Sequence, residues 1–200
     1  MSYTRVEFTK KYSPFIAKAV KGTGILVGTV LAQAIIESQG KVANGSYEVG
    51  ASKLARESNN YFGIKCHGWN GKTYNIDTGE YTSSGKSYIE KNSCFRAYKN
   101  VEDSIKDYVR FLKNNPRYEK AGVFKSKTVR TQAEALKKAG YATSLNYPKT
   151  IESVYNGVKK HIIEVAEFHY SFTKKYWWVI ALGVVGTGGI LYATITLKNK

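Results

Sequence analysis

Between Gly24 and Ile36 the chain carries thirteen residues without a charge, and the run ends directly on Glu37. It is too short to cross a bilayer, which takes about 20 apolar residues, and Gln33 interrupts it. It reads instead as a helix over Ile25–Ser38, apolar on nearly every face. Such a helix must be enclosed on all sides, so the rest of the domain has to be built around it. Thr23, inside the break Gly22-Thr23-Gly24, is the candidate N-cap, and Gly40 stands where a helix-ending glycine belongs.

The flanking patterns supply the enclosing elements. A first helix is expected over Glu7–Val20, broken near Ser13-Pro14, because proline suits a first turn better than a helix interior. A short helix is expected over Ser52–Arg56. From Tyr61 to Tyr98 the chain becomes rich in Gly, Thr, Ser, Tyr and Asn. Its β-prone pieces, Tyr61–Cys66, Lys72–Ile76, Ser87–Glu90 and Ser93–Tyr98, are separated by the turn signals Asp77-Thr78-Gly79 and Ser83-Ser84-Gly85. Helical spacing returns with Ile105, Tyr108, Val109 and Leu112, in a helix ending at Asn114-Asn115-Pro116, and again over Thr131–Ala139 before Gly140. Ile151, Val154, Tyr155, Val158, Ile162, Val165, Phe168 and Phe172 then mark a long amphipathic helix. The expected architecture is mainly α (α+β): a helical domain over residues 1–158 with a small inserted β lobe, followed by a connecting amphipathic helix over 159–176.

Residues Trp177 to Leu197 form a second uncharged run, of 21 positions. At about 1.5 Å per residue it matches a hydrocarbon core about 30 Å thick, so a C-terminal transmembrane helix is expected. Lys174 and Lys175 flank one end, Lys198 and Lys200 the other, and Tyr176, Trp177 and Trp178 would sit at one interface. Gly183, Gly186, Gly188 and Gly189 leave room for the close approach of a partner helix. No apolar stretch of the kind found in secretory signals occurs in residues 1–21.

A composition of 42% hydrophobic and 14% aromatic residues, 16 of them tyrosines, supports a packed core. The formal net charge of +16 favours an anionic partner: nucleic acid, an acidic membrane face or an anionic cell wall. No nucleic-acid recognition motif accompanies it, so nucleic acid is set aside. Two cysteines, Cys66 and Cys94, allow either one disulfide or two buried thiols, and no Cys/His spacing or Gly-rich loop calls for a metal or other cofactor. His67 follows Cys66, but neighbours on a strand point to opposite faces, which argues against a Cys/His nucleophile pair.

Glu37 is the outstanding candidate for chemistry. A carboxyl beside Ile35 and Ile36, at the negative end of a helix dipole, has its charged form disfavoured. It would hold a proton near neutral pH, as a general acid must. A water-exposed glutamate at a helix end is the alternative, and periodicity does not choose between them. Glycoside hydrolysis usually needs a second carboxylate, and Asp77 and Glu80 in the β lobe are the candidates.

The ordered segments Ala32-Gln33-Ala34-Ile35-Ile36-Glu37-Ser38-Gln39-Gly40, Ser52-Lys53-Leu54-Ala55 and Asn59-Asn60-Tyr61-Phe62-Gly63-Ile64-Lys65 resemble the endo-β-N-acetylglucosaminidases of glycoside hydrolase family 73. So do Trp69-Asn70-Gly71, Cys94-Phe95-Arg96-Ala97-Tyr98, Asn115-Pro116-Arg117-Tyr118 and Gly140-Tyr141-Ala142-Thr143. The resemblance covers roughly Phe8 to Val158 and is nearest to the Bacteroidetes type and its phages. It implies a lysozyme-like domain that cleaves peptidoglycan between N-acetylglucosamine and N-acetylmuramic acid, with Glu37 as general acid. It implies Glu80, in Thr78-Gly79-Glu80-Tyr81, as second carboxylate, with Asp77 its rival, acting on water or orienting the substrate's acetamide. It places Tyr141 beside the acid, and Trp69, Phe62 and Asn60 among the substrate-binding residues. The aspartate that follows Gly-Tyr-Ala-Thr in the family is Ser144 here.

Two functions are therefore expected in order. The first is a membrane-anchored peptidoglycan hydrolase for wall penetration or lysis, in a virion membrane or a host envelope. The second is a catalytically degenerate wall-binding or structural protein of a virion.

Overall fold

A computed structural model describes residues 1–81 and 87–162, all within the first of two units into which the chain divides, Met1–Ala166 and Glu167–Lys200. These residues are mainly helical with one small β lobe, the lysozyme-like arrangement. Helices α1 (Arg5–Val20) and α2 (Val27–Ser38) are followed by the two-residue strands β1 (Gly40–Lys41) and β2 (Tyr47–Glu48) and by α3 (Lys53–Ser58). Strands β3 (Thr73–Tyr81) and β4 (Ser87–Arg96) form an antiparallel pair. Helices α4 (Val101–Asn114), α5 (Pro116–Lys120) and α6 (Val129–Lys138) follow, with a 3-10 turn at Val123–Lys125, and residues 147–162 are helical (α7).

Helix α2 is the central element, as its apolar run requires: Val30, Leu31, Ala32, Ala34 and Ile35 have no exposed surface. Its start differs from expectation. Thr23 does not cap it; the Thr23 hydroxyl stitches the preceding turn, donating to the Val20 carbonyl and accepting from the Ile25 N–H. The N-cap is Leu26, whose N–H donates to the buried side chain of Gln132 at 2.9 Å. The Gln132 amide in turn donates to the carbonyls of Gly24 and Val123. A residue of α6 thus does from a distance what a local cap does elsewhere. At the other end the cap is Gln39, and Gly40 serves close approach: a Cβ there would stand 2.5 Å from the Ala51 carbonyl carbon.

Helix α1 runs unbroken through Pro14, against the break expected at Ser13-Pro14. Thr4 and Glu7 close its start with a capping box. Buried Phe8, Tyr12, Ile16 and Val20 lie on both sides of the proline. Pro14 and Lys10 are exposed, so the carbonyl that loses its donor meets water while packing keeps the axis continuous.

The β lobe departs most from its expected form. Instead of short pieces there is one long hairpin, and Asp77-Thr78-Gly79 lies within β3 rather than in a turn. The register shifts between Ile76, opposite Ser93, and Thr78, opposite Glu90, so Lys91 and Asn92 both face Asp77. The Asp77 carboxylate accepts from the Asn92 N–H at 2.9 Å and pairs with Lys91 at 2.8 Å, closing this bulge. Residues expected as a strand from Tyr61 to Cys66 instead form a loop laid along β4. It is held by the Cys66 and Arg96 N–H groups, which donate to the Cys94 and Ile64 carbonyls, and by the Lys65–Phe95 bridge. Cys66 and Cys94 are bonded to each other, with Cα atoms 5.5 Å apart, which decides the alternative left open by the sequence.

One buried ion pair joins lobe and core. Asp107 of α4, 3% exposed, accepts from Arg96 of β4 at 2.8 Å and from the Tyr98 hydroxyl at 2.9 Å. No helix among the described residues is long and apolar enough to cross a membrane. The expected transmembrane helix over 177–197, with its glycines, and the connecting helix beyond residue 162 lie outside the described residues.

Candidate active site

Glu37 ends α2 at the wall of a cleft of ≈ 780 Å³ between the helices and the β lobe. Phe62 and Tyr141 line it from the helical side, Thr78 and Gly79 from the hairpin, and Arg117 from the start of α5. A cleft of that size suits a ligand held on several sides at once.

Burial pushes the Glu37 carboxyl up to about 7, with no charged neighbour contributing. Among the described residues it has neither an ion pair nor a hydrogen-bond partner. Desolvation therefore lets the carboxyl keep its proton closer to neutral pH than an ordinary glutamate does. Behind it, one helical turn earlier on the same face, stands the fully buried Gln33. Its carbonyl oxygen accepts from the Tyr108 hydroxyl and its amide donates to the Tyr147 hydroxyl at 2.7 Å. Burial, and then neighbouring groups that would carry negative charge, among them Glu37, hold Tyr108, Tyr141 and Tyr147 far above the usual phenol range. The carboxyl is backed by neutral rings and a satisfied amide.

Tyr141 reaches the cleft because of how α6 ends. Gly140 takes a left-handed conformation (φ +78°), and the Tyr141 N–H closes back on the Leu136 carbonyl at 3.0 Å. That glycine-terminated turn swings the ring toward the cleft. The Tyr141 hydroxyl then donates to the Phe62 carbonyl at 3.0 Å, tying the loop after α6 to the loop before the hairpin.

The remaining candidates separate. Phe62 borders the cleft but is 2% exposed and stacked on Tyr108 at 4.2 Å, so its ring is chiefly packing. Asn60 is wholly buried and spent on the backbone: its amide donates to the Ile64 and Arg96 carbonyls, and its oxygen accepts from the Phe62 and Ile64 N–H groups. Trp69 does not line the cleft. Its ring faces the Arg96 guanidinium at 4.9 Å and meets Tyr98 edge-on, while its N–H donates to the Lys72 carbonyl. Both shape the loop and lobe that border the cleft. Asp77 is engaged in the bulge, and Lys91 and the Asn92 N–H hold its carboxyl below the usual carboxylate range. Glu80 pairs through its backbone with Tyr88 in the same strand as Thr78 and Gly79, and its side chain lies outside the described residues. Among those residues, no three His, Cys, Asp or Glu side chains converge as metal ligands.

The cleft also contains residues to which sequence reasoning assigned no role there, notably Lys65, His67 and Arg117. The segment Asn115-Pro116-Arg117-Tyr118 stood out as a motif, but nothing in it showed that it would fold back against the end of α6.

Comparison with known proteins decides the family. The family described as mannosyl-glycoprotein endo-beta-N-acetylglucosaminidase (Glucosaminidase) matches residues 13–160. The chain belongs to the glucosaminidase family. Its Glu37 thus stands in a glycoside hydrolase fold. It is similar to the peptidoglycan hydrolase FlgJ of Vibrio parahaemolyticus, with 32% identity over 148 residues, 74% of this chain and 45% of that protein. The chain therefore spans under half the length of that relative. Among solved structures, a mutant peptidoglycan hydrolase from Sphingomonas sp. A1 superposes with a TM-score of 0.63 at 28% identity, covering 80% of this chain and 99% of that one. The glycoside hydrolase domain of Salmonella typhimurium FlgJ gives 0.56 at 28% identity, covering 86% and 98%.

The Glu37 environment makes a stability prediction. In the unfolded chain the carboxyl titrates at its ordinary value of 4.5, and in the folded one at about 7. Below the first value both states are protonated and the site costs nothing. Stability falls as pH climbs between the two, and the loss is complete above the second, at most on the order of 3 kcal/mol. Glu37→Gln should therefore leave the melting temperature at pH 4 nearly unchanged and raise it at pH 8. An equal effect at both pH values in calorimetry would contradict the desolvated carboxyl.

Proposed function

We propose that this chain hydrolyses the β-1,4 bond between N-acetylglucosamine and N-acetylmuramic acid in peptidoglycan, with Glu37 as general acid. The observation that carries the proposal is a carboxyl raised to about 7 by burial, facing a cleft bounded by a helical domain and a β lobe. FlgJ of Vibrio parahaemolyticus, named a peptidoglycan hydrolase, supports the choice of polymer. The net charge of +16 suits an anionic wall.

Glu37 gives its proton to the glycosidic oxygen as the bond to the sugar's anomeric carbon breaks. The sugar leaving with that oxygen departs neutral, and positive charge develops on the anomeric carbon. Water then supplies the hydroxyl to that carbon, and its remaining proton passes to a base. We assign the partner carboxylate to Glu80, which follows the cleft-lining Thr78 and Gly79 in β3, while Asp77 is occupied by Lys91 and Asn92. The partner orients either that water or the substrate's own acetamide.

Incubating purified sacculi with the protein should release new reducing ends, and Glu37→Gln should lower the rate by about 10²–10⁴, the usual contribution of a positioned acid. Undiminished release by that variant would refute the assignment, and absence of reducing ends with the parent protein would favour a wall-binding role. Glu80→Ala should cost far more kcat than Asp77→Ala; the reverse order would transfer the role to Asp77.

We also propose that residues 177–197 anchor the chain in a virion membrane or in a host envelope facing the wall. The support is their lack of charge over 21 positions and the lysines on both sides. The full chain should float with phospholipid vesicles in a density gradient and a chain ending at residue 176 should not. Equal behaviour of the two would remove the anchor.

A further inference from the structure

Every charged group bordering the cleft raises the question of what answers it. Glu37 is kept protonated by burial. Lys65 pairs with Glu90 at 2.6 Å, so that cation already has an anion beside it. Arg117 differs. It is exposed, and among the described residues no carboxylate pairs with it. Its guanidinium lies 4.8 Å over the Tyr118 ring and donates to the Tyr118 hydroxyl at 2.7 Å. Tyr118 is fully buried, so this contact fixes the long side chain to a rigid support. The other side is bordered by Gly140, where a Cβ would stand 3.9 Å from an Arg117 Nη atom.

The electrostatics of Glu37 locate this charge further. A guanidinium close enough to pair with Glu37 would pull its carboxyl down, yet burial alone governs that group. Arg117 therefore borders the same cleft without addressing the acid. A planar cation supported by a buried ring, with no carboxylate paired to it among the described residues, is suited to a carboxylate brought in by the ligand.

We propose that Arg117 is a specificity-determining residue that binds a carboxylate carried by the substrate's substituents, so that the cleft favours acidic over neutral glycan strands. The proposal rests on the hydrolytic reading above and names the substrate feature read at that site. For a peptidoglycan strand, the carboxylates available are those of the peptide stems. Proton transfer stays with Glu37; Arg117 contributes binding.

The test compares soluble, stem-bearing glycan strands with the same strands after amidation of their carboxylates, using the parent chain, Arg117→Ala and Arg117→Lys. Both KM and the dissociation constant are read. Arg117→Ala should raise both on the acidic strands by about tenfold, within the range of one charge-assisted contact, with kcat little changed. On amidated strands it should leave both near the parent value. Arg117→Lys should recover part of the loss, since it keeps the charge without the fork. An equal effect on both kinds of strand, or none on either, would overturn the proposal. If the parent chain binds the acidic strands selectively through Arg117 and cleaves neither kind, the hydrolytic reading fails while the carboxylate site stands.

Discussion

The enclosure of α2 is the constraint on which the rest depends. Val30, Leu31 and Ile35 are entirely buried, and each contributes roughly 1.5–3 kcal/mol by leaving water. The same helix holds the half-buried Glu37 carboxyl at its end, where desolvation costs the fold at most on the order of 3 kcal/mol near neutral pH. The helix therefore carries an acid that favours its protonated form, and the cost is met by the residues that precede it. Stability and chemistry are coupled here through one element.

Other parts of the molecule serve this placement. Gln132 caps the start of α2 from α6, and Gln33 satisfies Tyr108 and Tyr147 behind the acid. The Gly140 turn brings Tyr141 to the cleft, and Tyr141 ties down the Phe62 loop. The Arg96–Asp107 pair and the Cys66–Cys94 bond hold the β lobe together and against the helices. The cleft lies between a wall fixed by apolar burial and a wall fixed by a few directed bonds.

Much of this was legible in the sequence where the signal was local and periodic. The apolar run marked α2 as central, the face Ile105, Tyr108 and Leu112 marked α4, and Gly140 marked the end of α6. What escaped was set by partners far along the chain. The Gln132 cap is 106 residues from Leu26, and no local pattern announces it. Asp77-Thr78-Gly79 has the composition of a turn, but pairing with β4 absorbs it as a bulge in which Asp77 closes the ladder. Asn60 and Trp69 have side chains that suit sugars, and the fold spends both on its own backbone and on Arg96. The placement of Arg117 beside Gly140, 23 residues further along the chain, is likewise a meeting in space that spacing alone does not encode.

Desolvation at the end of α2 raises the Glu37 carboxyl, and with it the proton available to the cleft. A direct observation is the titration of its side-chain carboxyl carbon by NMR in the folded protein, with Glu37→Gln used to assign the resonance. The expected midpoint is about 7. A midpoint at the ordinary 4.5 would mean that water reaches the carboxyl freely and that Glu37 holds no proton near neutral pH.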